Sequence, residues 1–547
     1  MCGCERTPIL VQSNRRDHDD NQIHKQSVRH RVHWRMCPNN RALRQPEFGT
    51  DALEHHCSEG FYAGACGYVG VEKDNGIVLM LPEYDLVVIG SGPAGQKAAI
   101  AAAKVRKNVA VIDRTPMIGG VSVHTGTIPS KTIREAIFQL TGRAVKAQYG
   151  NGHVAHGDIS VRDVSVRVRE IIERETDVVR AQLRRNGISI YQGLALFLDP
   201  HTLTVQDGED GHQLKAKNIL IACGTRPAHS PEIPFDDHRI VDTDHLHGLS
   251  GLPRETIVVG AGVVGLEYAS FMAALGSRVT LVDQRPIILD FVDQEIVQAL
   301  SYHLRQLGIT FRLGEKVTRV SMDMQREFAF AELESGKKIQ GDALVYAVGR
   351  QGNADHLHLE AAGLVADARG RVKVNELFQT AVPHIYAAGD VIGFPALAST
   401  SMEQGRLAAC HMFGIPFEHM PELFPYGIYT IPEISMVGQT EETLTSTKVP
   451  YEVGIARYSE LAKSMMLGDH MGMLKLLFHR DTHKLLGVHA LGQRATEIIH
   501  IGQAVLFYNG LVDYFRDMVF NYPTLSDVYK YAAFDALGQL NKIRAEG

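Results

Sequence analysis

The chain has 547 residues, and at about 100–200 residues per domain this length predicts three or four domains. Hydrophobic residues make up 45% and charged residues 22% of the sequence, which is ordinary for a globular protein. The net charge of −6 is mild and disfavours nucleic acid or a membrane surface as a partner, and no apolar run reaches the about 18 residues of a membrane span.

Residues 1–79 differ from the rest of the chain. They are rich in His, Arg, Asn and Asp and lack apolar periodicity, so we expect a disordered extension without helices or strands. Translated sequence upstream of a start at Met80 is an alternative, and a transit peptide is disfavoured by the acidic residues. The Cys and His spacings match no standard zinc pattern, so no metal is expected.

The distribution of cysteines indicates the redox compartment in which the protein is expected to fold. Five of the 7 cysteines precede residue 67, and only Cys223 and Cys410 lie in the body of the chain. With no secretory signal, this distribution favours a reducing cytoplasm over a disulfide framework. Cys223 lies in an apolar strand pattern and is interpreted as a packing residue.

The first strong motif begins at Tyr84. A buried-strand pattern is followed by a glycine turn with Gly90, Gly92 and Gly95, and then by an alanine-rich helix. Asp113 ends the next strand pattern, about 18 residues past Gly95 and near the expected about 20 for an acid that binds a ribose. Together these features predict a dinucleotide site.

A second unit repeats this pattern with the same spacing. Gly260, Gly262 and Gly265 form its glycine turn, and Asp283 ends the following strand. Two dinucleotide sites predict a flavin and a nicotinamide, the equipment for hydride exchange. The unit closes where Gly349 and Arg350 are predicted to end a strand.

Nucleotide preference stays open at this stage. Asp283 favours NAD, because a carboxylate accepts a hydrogen bond from the ribose 2′-hydroxyl and repels a 2′-phosphate. Arg285 is interpreted either as a side chain that turns toward the phosphate of NADP or as a solvent-exposed residue.

The segment from Gly119 to Lys131, G-G-V-S-V-H-T-G-T-I-P-S-K, carries a resemblance. It resembles the redox-active segment of the flavoprotein disulfide reductases, the pyridine nucleotide-disulfide oxidoreductase family of lipoamide dehydrogenase and glutathione reductase. Ser122 and Thr127 stand where the family has its two cysteines. The resemblance extends from Tyr84 to about Leu540, with every segment in the family's order.

The resemblance implies an α/β fold with two Rossmann-like dinucleotide-binding domains, for FAD and NAD(P), and an α+β C-terminal dimerisation domain. The expected boundaries are 80–232 for a first FAD-binding segment, 233–352 for NAD(P) binding, 353–420 for a second FAD-binding segment and 421–547 for dimerisation.

The resemblance also implies the site. Lys131, near flavin N5, and Glu267, its partner, take catalytic roles, and Lys131 stabilises the reduced flavin electrostatically. The remaining residues expected at the FAD are Arg114, Gly119, Gly120, Val121, Ser122, Gly126, Thr127, Ala195, Gly224, Gly389 and Asp390.

The acid/base pair of the family is also changed. Where disulfide reductases carry H-P-T-x-S-E, this chain has Tyr522 and Asp527 in place of the His and Glu. Tyr is a poor proton shuttle at neutral pH, and Tyr522 is interpreted as a packing aromatic. Because both losses concern dithiol chemistry alone, the resemblance implies a changed reaction.

The implied reaction is FAD-dependent hydride transfer between NADPH and NAD⁺, with one nucleotide site used in turn by a homodimeric or larger enzyme. Two alternatives stay open. One is a reductase that passes electrons from NAD(P)H to a quinone or another acceptor, and the other is a non-catalytic flavin-binding protein.

Overall fold

The computed structural model describes residues 69–73, 76–114, 117–141, 161–208, 210–246, 251–323, 325, 327–417 and 419–546. Strands β1 (Val69–Lys73) and β2 (Gly76–Met80) form an antiparallel pair. The expectation that residues 1–79 contain no strand is therefore wrong for this pair. The rest of that segment, with its cysteines and histidines, lies outside the described residues.

The first large sheet has the order β5-β4-β3-β8-β7-β6, and β19 pairs with β8. The pairs among β3, β4, β5, β8 and β19 are parallel, whereas β6 and β7 form an antiparallel extension. The strands are β3 (Glu83–Ile89), β4 (Val109–Asp113), β5 (Ser189–Gln192), β6 (Leu194–Asp199), β7 (Thr202–Asp207), β8 (Asp210–Ile221) and β19 (Ile385–Ala387).

Helices cover this sheet. They are α1 (Pro93–Lys104), the short α2 (Gly120–His124), α3 (Thr127–Leu140), α4 (Val161–Arg185) and, from later in the chain, α7 (Ala398–Met412). Helices α1 and α7 touch so closely that a Cβ on Gly405 would lie 2.0 Å from the carbonyl oxygen of Ala94. Because Gly405 has no side chain, α7 can pack directly on α1.

The second sheet is parallel, with the order β10-β17-β11-β12-β13. A three-stranded antiparallel sheet, β14-β15-β16, lies beside it, and β18 pairs with β9. The strands are β9 (Thr225–Pro227), β10 (Ile240–Asp242), β11 (Glu255–Val259), β12 (Arg278–Asp283), β13 (Ile309–Leu313), β14 (Val317–Asp323), β15 (Phe328–Leu333), β16 (Lys338–Gly341), β17 (Ala343–Tyr346) and β18 (Arg350–Gly352), with helices α5 (Val263–Ala274) and α6 (Gln294–Gln306).

The third sheet is antiparallel, with the order β20-β21-β24-β23-β22. An antiparallel sheet with helices is consistent with the α+β C-terminal region that the resemblance implied. The elements are β20 (Tyr426–Ile428), β21 (Ile434–Gly438), α8 (Glu441–Ser446), β22 (Tyr451–Arg457), α9 (Ala462–Leu467), β23 (Met473–His479), β24 (Leu485–Leu491), α10 (Ala495–Phe507), α11 (Asp513–Asp517) and α12 (Asp527–Glu546).

A buried ionic cluster joins the second and third sheets. The ammonium of Lys475, fully buried on β23, donates to Asp293 at the start of α6 at 3.0 Å and also contacts Glu295 and Glu441. Burial alone would lower the pKa of Lys475, but its carboxylate partners raise it above its usual range. Because a buried charge needs a partner, these contacts tie β23 to the start of α6.

None of the helices in the described ranges is long and apolar enough to cross a membrane.

Candidate active site

The turn between β3 and α1 leaves room for a phosphate. Gly90 has φ of +104°, and a Cβ there would lie 2.3 Å from the carbonyl oxygen of Ala222. A Cβ on Gly95 would lie 1.9 Å from the oxygen of Gly90, so the third glycine lets α1 pack on β3. By contrast, a Cβ on Gly92 would meet nothing within 4 Å, so at this glycine the backbone faces open space. A pyrophosphate can approach the first-turn amides of α1 there.

Asp113 stands at the end of β4, beside this turn. Its Oδ2 accepts the backbone N–H of Ser91 at 2.6 Å and also the hydroxyl of Ser91, and its Oδ1 accepts the N–H of Arg114 at 2.7 Å. Burial raises the pKa of Asp113, against the opposing effect of these hydrogen bonds. Ser91 also accepts the N–H of Gly119 at 2.8 Å, so one serine ties Asp113 to the start of the segment from Gly119 to Lys131.

The segment from Gly119 to Lys131 forms the short helix α2 and the start of α3. Gly120 has φ of +66°, and a Cβ there would lie 2.9 Å from the Cα of Gly92, so the segment starts against the phosphate turn. Ser122 on α2 donates its hydroxyl to the carbonyl of Gly119 at 3.1 Å. Thr127 is exposed at the start of α3.

Lys131 and Glu267 form the ion pair that the resemblance implied. The Lys131 ammonium donates to both carboxylate oxygens of Glu267, at 2.9 and 2.8 Å. The Glu267 residue is 3% exposed, whereas the Lys131 side chain is 26% exposed and reaches the cavity. Tyr429 supports the pair twice, because its N–H donates to Glu267 at 2.9 Å and its ring lies 4.6 Å from the ammonium.

A second acid, Asp390, lines the same cavity as Lys131 and Glu267. Gly389 has φ of +84° and donates its N–H to Gln404 on α7 at 2.9 Å, which places Asp390 at the cavity wall. The Asp390 carboxylate accepts the hydroxyls of Thr225 and Ser401, at 3.4 and 3.3 Å. These long contacts leave acceptor capacity for a further hydroxyl.

Most residues expected at the FAD line one cavity of about 580 Å³. They are Gly90, Gly92, Asp113, Arg114, Gly120, Val121, Ser122, Gly126, Thr127, Lys131, Ala195, Gly224, Gly389 and Asp390, and Glu267 and Arg350 line the same cavity. Gly95 and Gly119 do not line the cavity. Gly95 lets α1 pack on β3, and Gly119 forms the turn before α2.

The second glycine turn, between β11 and α5, repeats the first. Gly260 has φ of +103°, and a Cβ on Gly265 would lie 1.9 Å from its oxygen. Near Gly262 the only atom within 4 Å of an added Cβ is the Arg285 guanidinium, at 4.0 Å, among the described residues. Gly260, Gly262, Asp283, Arg285, Gly349 and Arg350 line a cavity of about 1160 Å³.

Arg285 is exposed, as one of the two sequence-based interpretations held, and its side chain also pairs with Asp283. The guanidinium donates to that carboxylate through Nε at 3.1 Å and Nη2 at 2.8 Å. The other interpretation, that Arg285 turns toward the phosphate of NADP, stays a prediction. Burial alone would raise the pKa of Asp283, but the hydrogen bonds from Arg285 and Ala261 hold it below its usual range.

Arg350 connects the two cavities and lines both. It begins β18 instead of ending a strand with Gly349 as predicted, because the preceding strand ends at Tyr346. Its guanidinium donates to Thr225 at 2.9 Å and to Asp244 at 2.9 Å. Helix α5 makes a second connection, because its N-terminus faces the larger cavity and Glu267 faces the smaller one.

Two functional residues were missed from the sequence, and one interpretation changes. Ser91 occupies a variable position of the glycine motif, where a hydroxyl was the available signal. Tyr429 lies in the stretch Y-G-I-Y-T-I-P, but its contacts with Lys131 and Glu267 join distant segments. Tyr522, interpreted as a packing aromatic, is 73% exposed in the single chain.

These features fit FAD. The open face at Gly92, the acid at Asp113 and the lysine at the cavity wall supply a phosphate cradle, a ribose acceptor and a fixed positive charge in one cavity.

Comparison with known proteins defines the class. The family model described as pyridine nucleotide-disulphide oxidoreductase matches residues 84–405, and the model of its dimerisation domain matches residues 424–533. The chain therefore belongs to the pyridine nucleotide-disulphide oxidoreductase family, whose members bind FAD.

Similar relatives narrow the comparison. The chain is 53% identical to the soluble pyridine nucleotide transhydrogenase of Mycobacterium bovis (strain BCG / Pasteur 1173P2), over 85% of this chain and 98% of the relative. It is 43% identical to the protein of the same name from Erwinia tasmaniensis, over 84% of this chain and 99% of the relative.

Solved structures show the same architecture. LpdA from Mycobacterium tuberculosis superposes with a TM-score of 0.76 at 25% identity, over 83% of this chain and 99% of LpdA. The HOCl-induced flavoprotein disulfide reductase RclA from Escherichia coli gives a TM-score of 0.74 at 26% identity, over 82% of this chain and 99% of RclA.

Proposed function

We propose that this protein catalyses FAD-dependent hydride transfer between NADPH and NAD⁺. The relatives at 53% and 43% identity are named transhydrogenases, and the match covers nearly their whole length. FAD, when bound, supplies a centre that can take up a hydride and give it back. The protein's role is to bind both nucleotides, orient them and hold charge beside that centre.

The observation that carries the proposal is the position of helix α5. Its N-terminus lies at the second glycine turn, where a nucleotide phosphate would bind, and Glu267 on the same helix holds Lys131 in the FAD cavity. The ammonium is thereby fixed at the wall of the smaller cavity, where it would favour negative charge that develops on a bound flavin. No proton transfer by Lys131 is required.

The proposal also holds that no disulfide takes part in the reaction. Ser122 and Thr127 carry hydroxyls, which cannot form a disulfide, and the two cysteines among the described residues, Cys223 and Cys410, are both free. Burial raises the pKa of Cys223 to about 12, so it is a poor thiolate at neutral pH. A second nucleotide is then the acceptor, and the shared site gives ping-pong kinetics.

The predicted domain boundaries, the roles of the site residues and the homodimer belong to the same proposal. The match to the family's dimerisation domain supports the assembly. A reducing cytoplasm suits the two free thiols and is the proposed compartment.

Rapid mixing under anaerobic conditions tests the function. The FAD-loaded protein is first mixed with NADPH, which should bleach the flavin absorbance, and then with NAD⁺, which should restore it and form NADH. Initial rates at several fixed NADPH concentrations should give parallel double-reciprocal lines. Recovery with a quinone but not with NAD⁺ would support the reductase alternative, and a flavin that NADPH does not bleach would support a non-catalytic role.

A further inference from the structure

Asp113 and Asp283, the acids beside the two glycine turns, accept hydrogen bonds from different donors, and the difference lies in Arg285. In the first unit, Oδ2 of Asp113 accepts the N–H and the hydroxyl of Ser91, and Oδ1 accepts one N–H from Arg114. In the second unit Ala261 takes the place of Ser91 and offers an N–H alone, at 2.6 Å. The Arg285 guanidinium fills the position of the missing hydroxyl.

The carboxylate of Asp283 is consequently saturated. Oδ1 accepts the N–H and the Nε of Arg285, at 2.8 and 3.1 Å, and Oδ2 accepts the Nη2 of Arg285 and the N–H of Ala261. A carboxylate has about four lone-pair positions, and all are occupied here. A ribose hydroxyl can therefore bind Asp283 only when Arg285 releases a hydrogen bond.

Arg285 can move without moving the backbone. Its carbonyl accepts the N–H of Gly314 at 3.0 Å, and the carbonyl of Asp283 accepts the N–H of Glu315 at 3.1 Å, so both residues are anchored to the segment that follows β13. The Arg285 side chain is 44% exposed, lines the larger cavity and reaches to 4.0 Å from an added Cβ on Gly262. Rotation of this side chain alone can exchange its partner.

We infer that Arg285 is a nucleotide-selecting arm that pairs with Asp283 when a 2′-hydroxyl is present and with the phosphate when a 2′-phosphate is present. With NAD, the hydroxyl replaces one hydrogen bond of Arg285 to Asp283. With NADP, the guanidinium leaves Asp283 and forms a two-point contact with the phosphate. One site can thus take both nucleotides in turn, and this inference rests on the proposed function.

Equilibrium binding tests the arm without catalysis. The FAD-loaded protein is titrated by calorimetry with ADP-ribose and with 2′-phospho-ADP-ribose. In Arg285→Gln, the affinity for the phosphorylated ligand should fall about tenfold or more, whereas that for ADP-ribose should change less than about threefold. In Asp283→Asn, removal of the negative charge should increase the affinity for 2′-phospho-ADP-ribose about fivefold or more.

Two further variants serve as controls. Arg278→Gln, at the exposed start of the same strand where Arg278 pairs with Glu255, should bind both ligands as the wild type does. Arg285→Lys keeps the positive charge but loses the paired N–H donors of the guanidinium. Its affinity for 2′-phospho-ADP-ribose should therefore lie between those of the wild type and Arg285→Gln. The flavin spectrum and circular dichroism confirm the fold of each variant.

The outcomes separate this inference from the proposed function. If the wild type binds both ligands while Arg285→Gln lowers the affinity for both equally or leaves both affinities unchanged, the role of Arg285 as a selecting arm is refuted, while the proposed function stands. If the wild type binds neither ligand, the second glycine turn is not a nucleotide site and the proposed function fails with the inference.

Discussion

Removal of either partner of the Lys131–Glu267 pair should destabilise the protein by different amounts. Lys131→Met leaves the Glu267 carboxylate, 3% exposed, with the N–H of Tyr429 as its remaining described donor. A buried charge that loses its partner costs several kcal/mol, so we expect a loss of about 2–4 kcal/mol in the free energy of unfolding. Glu267→Gln retains an amide oxygen for both donors, and its loss should be about 1–2 kcal/mol.

The magnitude of the coupling follows from the exposure. Hydrogen bonds to charged groups contribute about 1.5–3 kcal/mol. Solvent at the 26% exposed Lys131 side chain screens some of this, so a double-mutant cycle should give a coupling of about 1–2 kcal/mol. The double variant should therefore lose less unfolding free energy than the two single variants lose when their losses are added.

Denaturant unfolding of the FAD-loaded protein, followed by circular dichroism, measures the cycle. The exposed pair Lys338–Glu332, 3.6 Å apart, is a matched control that should give a coupling near zero. A coupling below about 0.5 kcal/mol for Lys131–Glu267 would refute the assignment of a partly buried, structurally coupled pair.

Three further predictions concern other contacts. Gly262→Ala should keep the melting temperature but lose ADP-ribose binding in calorimetry, whereas Gly265→Ala, whose Cβ would lie 1.9 Å from the oxygen of Gly260, should lose both. Lys475→Met should cost about 3–5 kcal/mol in denaturant unfolding, because it leaves the buried Asp293 without its cation. Burial alone would raise the pKa of Asp293, but His489 and Lys475 lower it. The stabilisation by Asp293 is therefore present above about pH 4 and is lost as the pH falls through the lowered pKa. In that range the wild type should lose stability more steeply than Lys475→Met.

The repeated glycine motifs were the most informative stretches of the sequence. Their spacing predicted the strand, the glycine turn and the helix of both units, because these elements are adjacent in the chain. The expected position of Asp113 at the end of β4 is confirmed.

The chemistry around these motifs was less predictable, because it joins segments far apart in the chain. Tyr429 reaches Lys131 and Glu267 from the third sheet, and no periodicity signals that contact. The saturation of Asp283 depends on the side-chain rotamer of Arg285, which the sequence does not specify. Arg350 begins a strand because its partner is the distant β9.

The most direct test of the central claim counts electrons. If no thiol pair lies beside the flavin, as proposed, anaerobic titration with dithionite should reduce the protein completely with one two-electron equivalent per bound FAD. A second two-electron equivalent taken up before reduction is complete would show a redox-active disulfide and contradict the proposal.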